Sequence, residues 1–143
     1  MTQVDFYFNA ADVFQVTQRL IAKALKAKPN ATVVVAGGAA SLHLFDAHLW
    51  AFDAMSFVPH VFANDALASK TSVLLTTGNE ELPHSHYGLM VNLGVAVPEH
   101  FARFERLIEL VASDEDSKIK GRERFMFYKQ RGYPMSHLDL AKK

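Results

Sequence analysis

The sequence predicts one α/β domain over residues 1–143: a three-layer sandwich with a mostly parallel sheet flanked by helices, Rossmann-like but without a nucleotide fingerprint. Three observations support this fold class. The length suits a single domain, and half of the residues are hydrophobic. Strand and helix patterns alternate along the chain. Segment 32–36 is a continuous apolar, β-branched run, which is typical of a strand buried on both faces of a parallel sheet.

The first elements follow from local signals. Segment 4–8 is aromatic-rich and alternates weakly in polarity, which predicts a strand. Asp12 is a suitable N-cap for a helix, because apolar residues recur at helical spacing after it. Pro29 ends that helix, and segment 32–36 then forms the second strand.

The middle of the chain predicts a helix and two further strands. Gly37 turns the chain out of the buried strand into a second helix over 40–52. The residues around Pro59 are extended, since proline disfavours a helical conformation at the residue before it. Segments 72–76 and 89–93 are short and apolar, and both are predicted to be strands.

The end of the chain predicts two helices. Pro98 suits the first turn of a third helix, which we expect over 101–111. Ser113 or Asp114 is a suitable N-cap for a fourth helix, and Gly132 is a natural residue to end it.

Composition narrows the function classes. Cysteine is absent, which excludes disulfides and thiolate metal sites. Apolar runs are too short to span a bilayer and no secretory signal fits the N-terminus, so we expect a cytoplasmic protein without a membrane partner. Formal net charge is zero, but residues 1–112 carry −3 and residues 113–143 carry +3. That balance is too weak for a broad duplex-binding face, and it suffices for a local site that accepts an acidic peptide.

The sequence contains few motifs that would indicate catalysis or cofactor binding. The Gly37-Gly38 turn lies where phosphates bind in many α/β proteins, but it lacks the third glycine of the dinucleotide motif and the lysine of a P-loop. A tight turn made of small residues explains it equally, so a nucleotide-binding enzyme or sensor stays as the alternative function. His84 and His86 lie close together, yet we expect exposed loop residues there and no metal. No catalytic residue, cofactor or metal ligand is predicted.

The last predicted helix holds a basic stripe. Between 118 and 131 there are six basic residues and one acidic residue. Lys118, Arg122, Phe125 and Lys129 are spaced by four, three and four, which aligns them on one side of a helix. Such a stripe can hold carboxylates beside an apolar ring. It can equally be a solvated helix face, or a surface that binds single-stranded DNA directly.

Trp50 and Phe57 form a second candidate. Trp50 is the only tryptophan and lies at the end of the second predicted helix, close in sequence to Phe57. Large aromatic residues often anchor protein interfaces, and they also often fill cores. The sequence leaves both uses open.

Three blocks in order along the chain resemble the chi subunit family of bacterial DNA polymerase III. They are Phe45-Asp-Ala-His-Leu-Trp50, Ser56-Phe-Val-Pro-His60, and Arg122-Glu-Arg124 followed by Tyr128-Lys129 and Gly132-Tyr133. The resemblance implies a non-catalytic replication subunit with an α/β fold. It implies that one surface binds the psi subunit, which connects chi to the clamp loader, and that another binds the acidic C-terminal tail of single-stranded DNA-binding protein. Contact with single-stranded DNA would then be indirect.

The resemblance also implies site residues. The tail site would comprise Val111, Lys118, Arg122, Phe125, Met126, Lys129 and Tyr133, and the psi interface would comprise Trp50 and Phe57. Met126 stands where the family commonly has a basic residue, so we expect either a lower tail affinity or a replacement of the missing charge by Lys129 or Arg124. Arg122 suits the terminal carboxylate, because a guanidinium can bind both oxygens.

Overall fold

The computed structural model describes residues 1–28, 30–51 and 59–141. Its helices are α1 (Val13–Ala27), α2 (Ala39–Ala51) and α3 (Glu115–Gln130). Its strands are β1 (Gln3–Ala10), β2 (Val33–Ala36), β3 (His60–Phe62), β4 (Val73–Thr76), β5 (Leu89–Asn92), β6 (Arg106–Ala112) and β7 (Met135–Asp139). None of the helices in these ranges is long and apolar enough to cross a membrane.

The strands form one sheet in the order β3-β4-β2-β5-β6-β1-β7, and every neighbouring pair is parallel. The predicted α/β class is therefore confirmed. All four residues of β2 and all four of β4 are buried, as expected for strands covered on both faces. β1 lies near the edge of the sheet, between β6 and β7.

Helices cover both faces of the sheet. α1 and α2 pack on one face, where Ile21, Leu42 and Phe45 are fully buried. α3 packs on the other face, where Phe6 and Tyr128 lie in a separate core cluster. The outer surfaces of α2 and α3 therefore lie on opposite sides of the molecule.

The predicted third helix over 101–111 is wrong. Phe101–Arg103 form a single 3₁₀ turn, and β6 follows at once. Leu107 and Leu110 are both buried but face opposite sides of the sheet, because side chains alternate along a strand. The apolar residues before and within β6 also recur every three or four positions, which imitates a helix.

α3 begins and ends as its sequence predicts. The Asp114 side chain accepts hydrogen bonds from the backbone N–H and the hydroxyl of Ser117, and Gly132 has a φ of +77° just beyond the helix. Within the helix, a Cβ on Gly121 would lie 2.8 Å from a methyl carbon of Val111. Glycine at this position therefore lets α3 approach β6 closely.

Candidate functional site

A pocket of about 480 Å³ opens between α3 and the carboxyl-terminal parts of β1 and β7. Its volume falls in the range of typical ligand pockets. It is lined by Phe6, Phe8, Asn9, Val111, Lys118, Gly121, Arg122, Phe125 and His137. The pocket is thus built from one helix and three adjacent strands.

The floor of the pocket is apolar. Phe6 and Val111 are buried, and the ring of Phe125 meets that of Phe6 edge-to-face, with centroids 5.3 Å apart. The side chains of Phe6 and Val111 are fixed by the sheet, while Phe125 is fixed by α3. A hydrophobic ring entering this floor would meet aromatic and branched aliphatic walls, which favour such contacts.

The rim of the pocket is cationic. Lys118 is about one-third exposed, and its ammonium lies 3.9 Å from the Glu115 carboxylate, which is itself 80% exposed. An exposed pair at that distance holds the lysine weakly. Arg122 is exposed and has no ion-pair partner among the described residues. Two cations are therefore available beside an apolar hollow.

The structure brings four of the seven predicted tail-site residues together and places three elsewhere. Val111, Lys118, Arg122 and Phe125 line the pocket. Met126 and Lys129 are exposed on α3 outside it. Tyr133 is half-buried, and its ring lies 5.2 Å from that of Phe101, away from the pocket.

Lys129 nevertheless stays on the same side of α3 as the pocket. Seven residues separate it from Arg122, which corresponds to about 10 Å along a helix axis. Two apolar side chains are exposed on the outer side of α3. Met126 is 46% exposed, and Ile119, about two turns earlier, is 48% exposed. The sequence analysis did not single out Ile119, although its spacing of seven residues from Met126 places both on one side of a helix.

Arg124 does not supply the charge missing at Met126, so that expectation is wrong. It is 4% exposed, and its Nε donates to the Glu109 carboxylate over 2.9 Å. The Tyr128 hydroxyl and the Asn92 amide donate to the same carboxylate over 2.6 and 2.9 Å. The Arg124 guanidinium is therefore part of a buried hydrogen-bond network with Glu109, Tyr128 and Asn92.

This network fixes α3 against the sheet. Burial raises the pKa of the Glu109 carboxyl, although Arg124, Tyr128 and Asn92 all favour its ionised form. Burial and the neighbouring carboxylate also raise the pKa of Tyr128. A second Arg124 bond, to the carbonyl of Val95 over 3.0 Å, ties the helix to the loop after β5.

The remaining basic residues of α3 do not form a continuous basic surface. The Lys120 ammonium lies 4.0 Å from the Glu123 carboxylate. The Arg131 guanidinium lies 3.6 Å from the ring centroid of Phe127 and donates to its backbone carbonyl. With Arg124 buried, this side of the helix offers little free charge for a nucleic acid backbone.

Four pocket residues, Phe6, Phe8, Asn9 and His137, come from two strands that the sequence analysis did not connect to the site. Asn9 has a left-handed backbone, with φ +60°, at a bulge in β1, and its amide donates to Asp139 over 2.9 Å. His137 lies on β7, paired in register with Phe6. More than 125 residues separate His137 from the three β1 residues along the chain, so no local signal could have joined them.

The outer face of α2 is apolar and exposed. Trp50 is 63% exposed and Leu44 is 64% exposed, and alanines occupy positions 40, 47 and 51 beside them. The other side of the same helix buries Leu42, Phe45 and Leu49. The outer face therefore exposes two large apolar side chains, with the exposed His43 between them, and such patches often mark sites where another protein surface binds. Phe57, the second residue predicted here, lies outside the described residues.

The comparisons with known proteins agree with the motif resemblance. Residues 1–136 match the family model of the DNA polymerase III chi subunit, HolC. The chain belongs to the DNA polymerase III chi subunit family. A Pseudomonas aeruginosa protein named DNA polymerase III subunit chi is 32% identical over 146 aligned positions, 99% of each chain. A Haemophilus influenzae protein of the same name is 28% identical over 92 positions, 64% of this chain and 62% of that protein.

The Gly37-Gly38 turn of this chi-family chain borders a cavity of about 340 Å³. Gly37 packs closely, since a Cβ there would lie 3.5 Å from the Cβ of Leu93. Glu99 is the charged side chain in the cavity lining, and a carboxylate repels phosphate. The geometry therefore favours the tight turn over the nucleotide-binding alternative.

The histidine loop of the chi-family chain differs from expectation at one residue. His84 is exposed as predicted, but His86 is buried. Both ring nitrogens of His86 are engaged, one with the Thr71 carbonyl at 2.6 Å and one with the Ser85 hydroxyl at 2.7 Å. Among the described residues, no three histidine or carboxylate side chains are grouped to hold a metal ion.

Proposed function

We propose that this chain is a non-catalytic accessory subunit of the DNA polymerase III holoenzyme. In this proposal it acts in DNA replication by bridging two partners. The pocket beside α3 binds the acidic C-terminal tail of single-stranded DNA-binding protein, and the outer face of α2 binds the psi subunit of the clamp-loader assembly. The observation that supports it best is the pair of available cations, Lys118 and Arg122, above an apolar pocket.

The pocket suits a peptide that ends in an aromatic residue with a free carboxylate. The terminal ring would rest on Phe6, Val111 and Phe125, where apolar surface is removed from water. The terminal carboxylate would accept hydrogen bonds from Arg122, whose fork matches two oxygens. Lys118 lies one helical turn earlier and would hold a neighbouring carboxylate.

The acidic residues upstream would follow α3. Lys129 lies about two turns beyond Arg122 and offers the next exposed cation on that side. Met126 and Ile119 provide apolar contact for the aliphatic parts of the peptide. Tyr133 would act through packing against Phe101, by which it holds the end of α3.

The outer face of α2 suits an apolar partner. Trp50 is positioned to insert into a groove, as aromatic anchors do at protein interfaces. Leu44 extends the same face by about one and a half turns. Because α2 and α3 lie on opposite faces of the sheet, both partners can bind at once, which is what a bridging subunit requires.

We expect Arg122→Ala to weaken binding of a peptide from the tail by about 1.5–3 kcal/mol, because a charge-assisted contact is lost. Isothermal titration calorimetry with the intact chain measures this change. Lys120→Ala is the matched control, since it removes a charge from the same helix outside the pocket. Equal affinities for the wild type and Arg122→Ala would remove Arg122 from the site.

A pull-down separates this function from the nucleotide-binding alternative. The chain should capture full-length single-stranded DNA-binding protein and lose it when the last residues of that protein are deleted. Nucleotide added at 100 times its Kd would stabilise a true nucleotide-binding fold by about 2.7 kcal/mol, and we expect no such stabilisation.

A further inference from the structure

His137 faces the pocket from the sheet. It lies on β7, opposite Phe6 in the parallel register, and lines the pocket together with residues of α3. Its ring is tilted against that of Phe8, with centroids 6.2 Å apart, and the residue is exposed. No described residue forms a hydrogen bond or an ion pair with its side chain. The imidazole is therefore available to a ligand.

The charged groups around His137 come from two elements. α3 supplies the cations Lys118 and Arg122. β7 supplies Asp139, whose carboxylate already accepts a hydrogen bond from the Asn9 amide. β1 contributes the uncharged Phe6, Phe8 and Asn9. The charges that face His137 across the pocket are therefore mainly positive.

An acidic ligand reverses this balance. Its carboxylates remain ionised above about pH 5, and they favour the protonated imidazole. Histidine is the side chain whose charge changes between about pH 5 and pH 8. Binding of the ligand is then coupled to proton uptake, so affinity rises as pH falls through that range.

We propose that His137 contacts the ligand together with Lys118 and Arg122, and that it raises the affinity of the pocket for an acidic C-terminus at mildly acidic pH. This inference rests on the proposed peptide-binding function and adds a specificity-determining residue to it. Protonated His137 donates to a ligand carboxylate from the sheet, while Arg122 donates from α3. The ligand is thereby held from two sides.

The test measures the affinity of the intact chain for an aspartate-rich ten-residue peptide that ends in phenylalanine with a free carboxylate. Fluorescence anisotropy at constant ionic strength gives the Kd at about pH 5.5 and about pH 8. We expect the wild type to bind about 10-fold more tightly at the lower pH, close to the lower end of what one charge-assisted contact contributes. His137→Gln should bind with nearly equal affinity at both values.

Two further variants complete the test. His137→Lys carries a permanent charge and should bind tightly at both pH values. His84→Gln is the matched control, because His84 is an exposed histidine outside this pocket, and it should keep the wild-type pH dependence. Thermal unfolding at both pH values shows whether each variant is folded.

The outcomes separate this inference from the proposed function. The proposed role of His137 is overturned if the wild type binds the peptide equally at both pH values, or if His137→Gln keeps the full pH dependence. Either result leaves the proposed peptide-binding function of the pocket intact. If the wild type does not bind the peptide at either pH, the peptide-binding function itself fails.

Discussion

The outer surfaces of α2 and α3 differ in how they meet solvent. α2 exposes Leu44 and Trp50 on a face whose other exposed residues are alanines and His43, whereas α3 presents Lys118 and Arg122 beside an apolar hollow. Salt screens contacts between exposed charges, whereas it does not screen contacts made by burial of apolar surface. One sheet thus carries a face suited to a stable subunit contact and a face suited to an exchangeable one.

The two helices are also attached to the sheet differently. α2 is attached by apolar packing of Leu42, Phe45 and Leu49. Two single polar bonds supplement this packing, one from His48 to Gln18 and one from Asp46 to His60. α3 adds the buried polar network around Glu109 and Arg124 to its apolar contacts. Packing tolerates small shifts, while a network of directed bonds sets one helix position. The second arrangement would suit the proposed binding of a peptide terminus, because it fixes the pocket wall that α3 forms.

The largest expected effect tests that attachment. Glu109→Ala leaves the Arg124 guanidinium buried without its carboxylate, and we expect the free energy of unfolding to fall by about 3–5 kcal/mol. Urea unfolding measures it. Glu105→Ala, an exposed glutamate just before β6, is the control and should change stability little. A loss as small as that of the control would mean that the network does not hold α3.

Trp50→Ala tests the α2 face. We expect it to weaken the psi interface by at least about 2 kcal/mol, as for an aromatic anchor, and to abolish co-purification with psi. Affinity for the tail peptide should stay unchanged, because the pocket is on the other side of the sheet. Leu67→Ala removes an exposed apolar side chain elsewhere and serves as the control. Loss of both binding activities would indicate a folding defect.

Gly121→Ala has the smallest expected effect and acts on the pocket wall. The added methyl group would lie 2.8 Å from Val111, so α3 must move outward, at a cost of about 1–3 kcal/mol in stability. Because Gly121 and Val111 both line the pocket, peptide affinity should fall as well. Gly38→Ala, which meets no atom within 4 Å, is the control. Unchanged affinity would show that the pocket tolerates movement of α3.

Local signals were enough to predict the central strands and all three helices that the structure describes. Caps such as Asp114 and continuous apolar runs such as 32–36 are visible within a few residues. β6 was mistaken for a helix because Glu109 interrupts its apolar run, and the partner that makes this burial tolerable, Arg124, is 15 residues away. β7 was missed because it is a short edge strand with polar residues.

The candidate site also has one part that local patterns predict and another part that they do not. Helical spacing aligned Lys118, Arg122 and Phe125, and the family resemblance added Val111. The floor and far wall, from Phe6 to His137, depend on the order of strands in the sheet, which no local pattern records. The same limit explains why Arg124 was counted as an available cation.

The position of β1 affects when the protein can fold during its synthesis. Val4 pairs with Leu107 on one side and with Met135 on the other. β1 therefore cannot enter the sheet until segments more than a hundred residues later have been synthesised. Contacts this distant in sequence are slow to form. A chain still emerging from the ribosome therefore has no pocket, and unfinished copies cannot compete for the peptide that we propose as the ligand of the finished molecule.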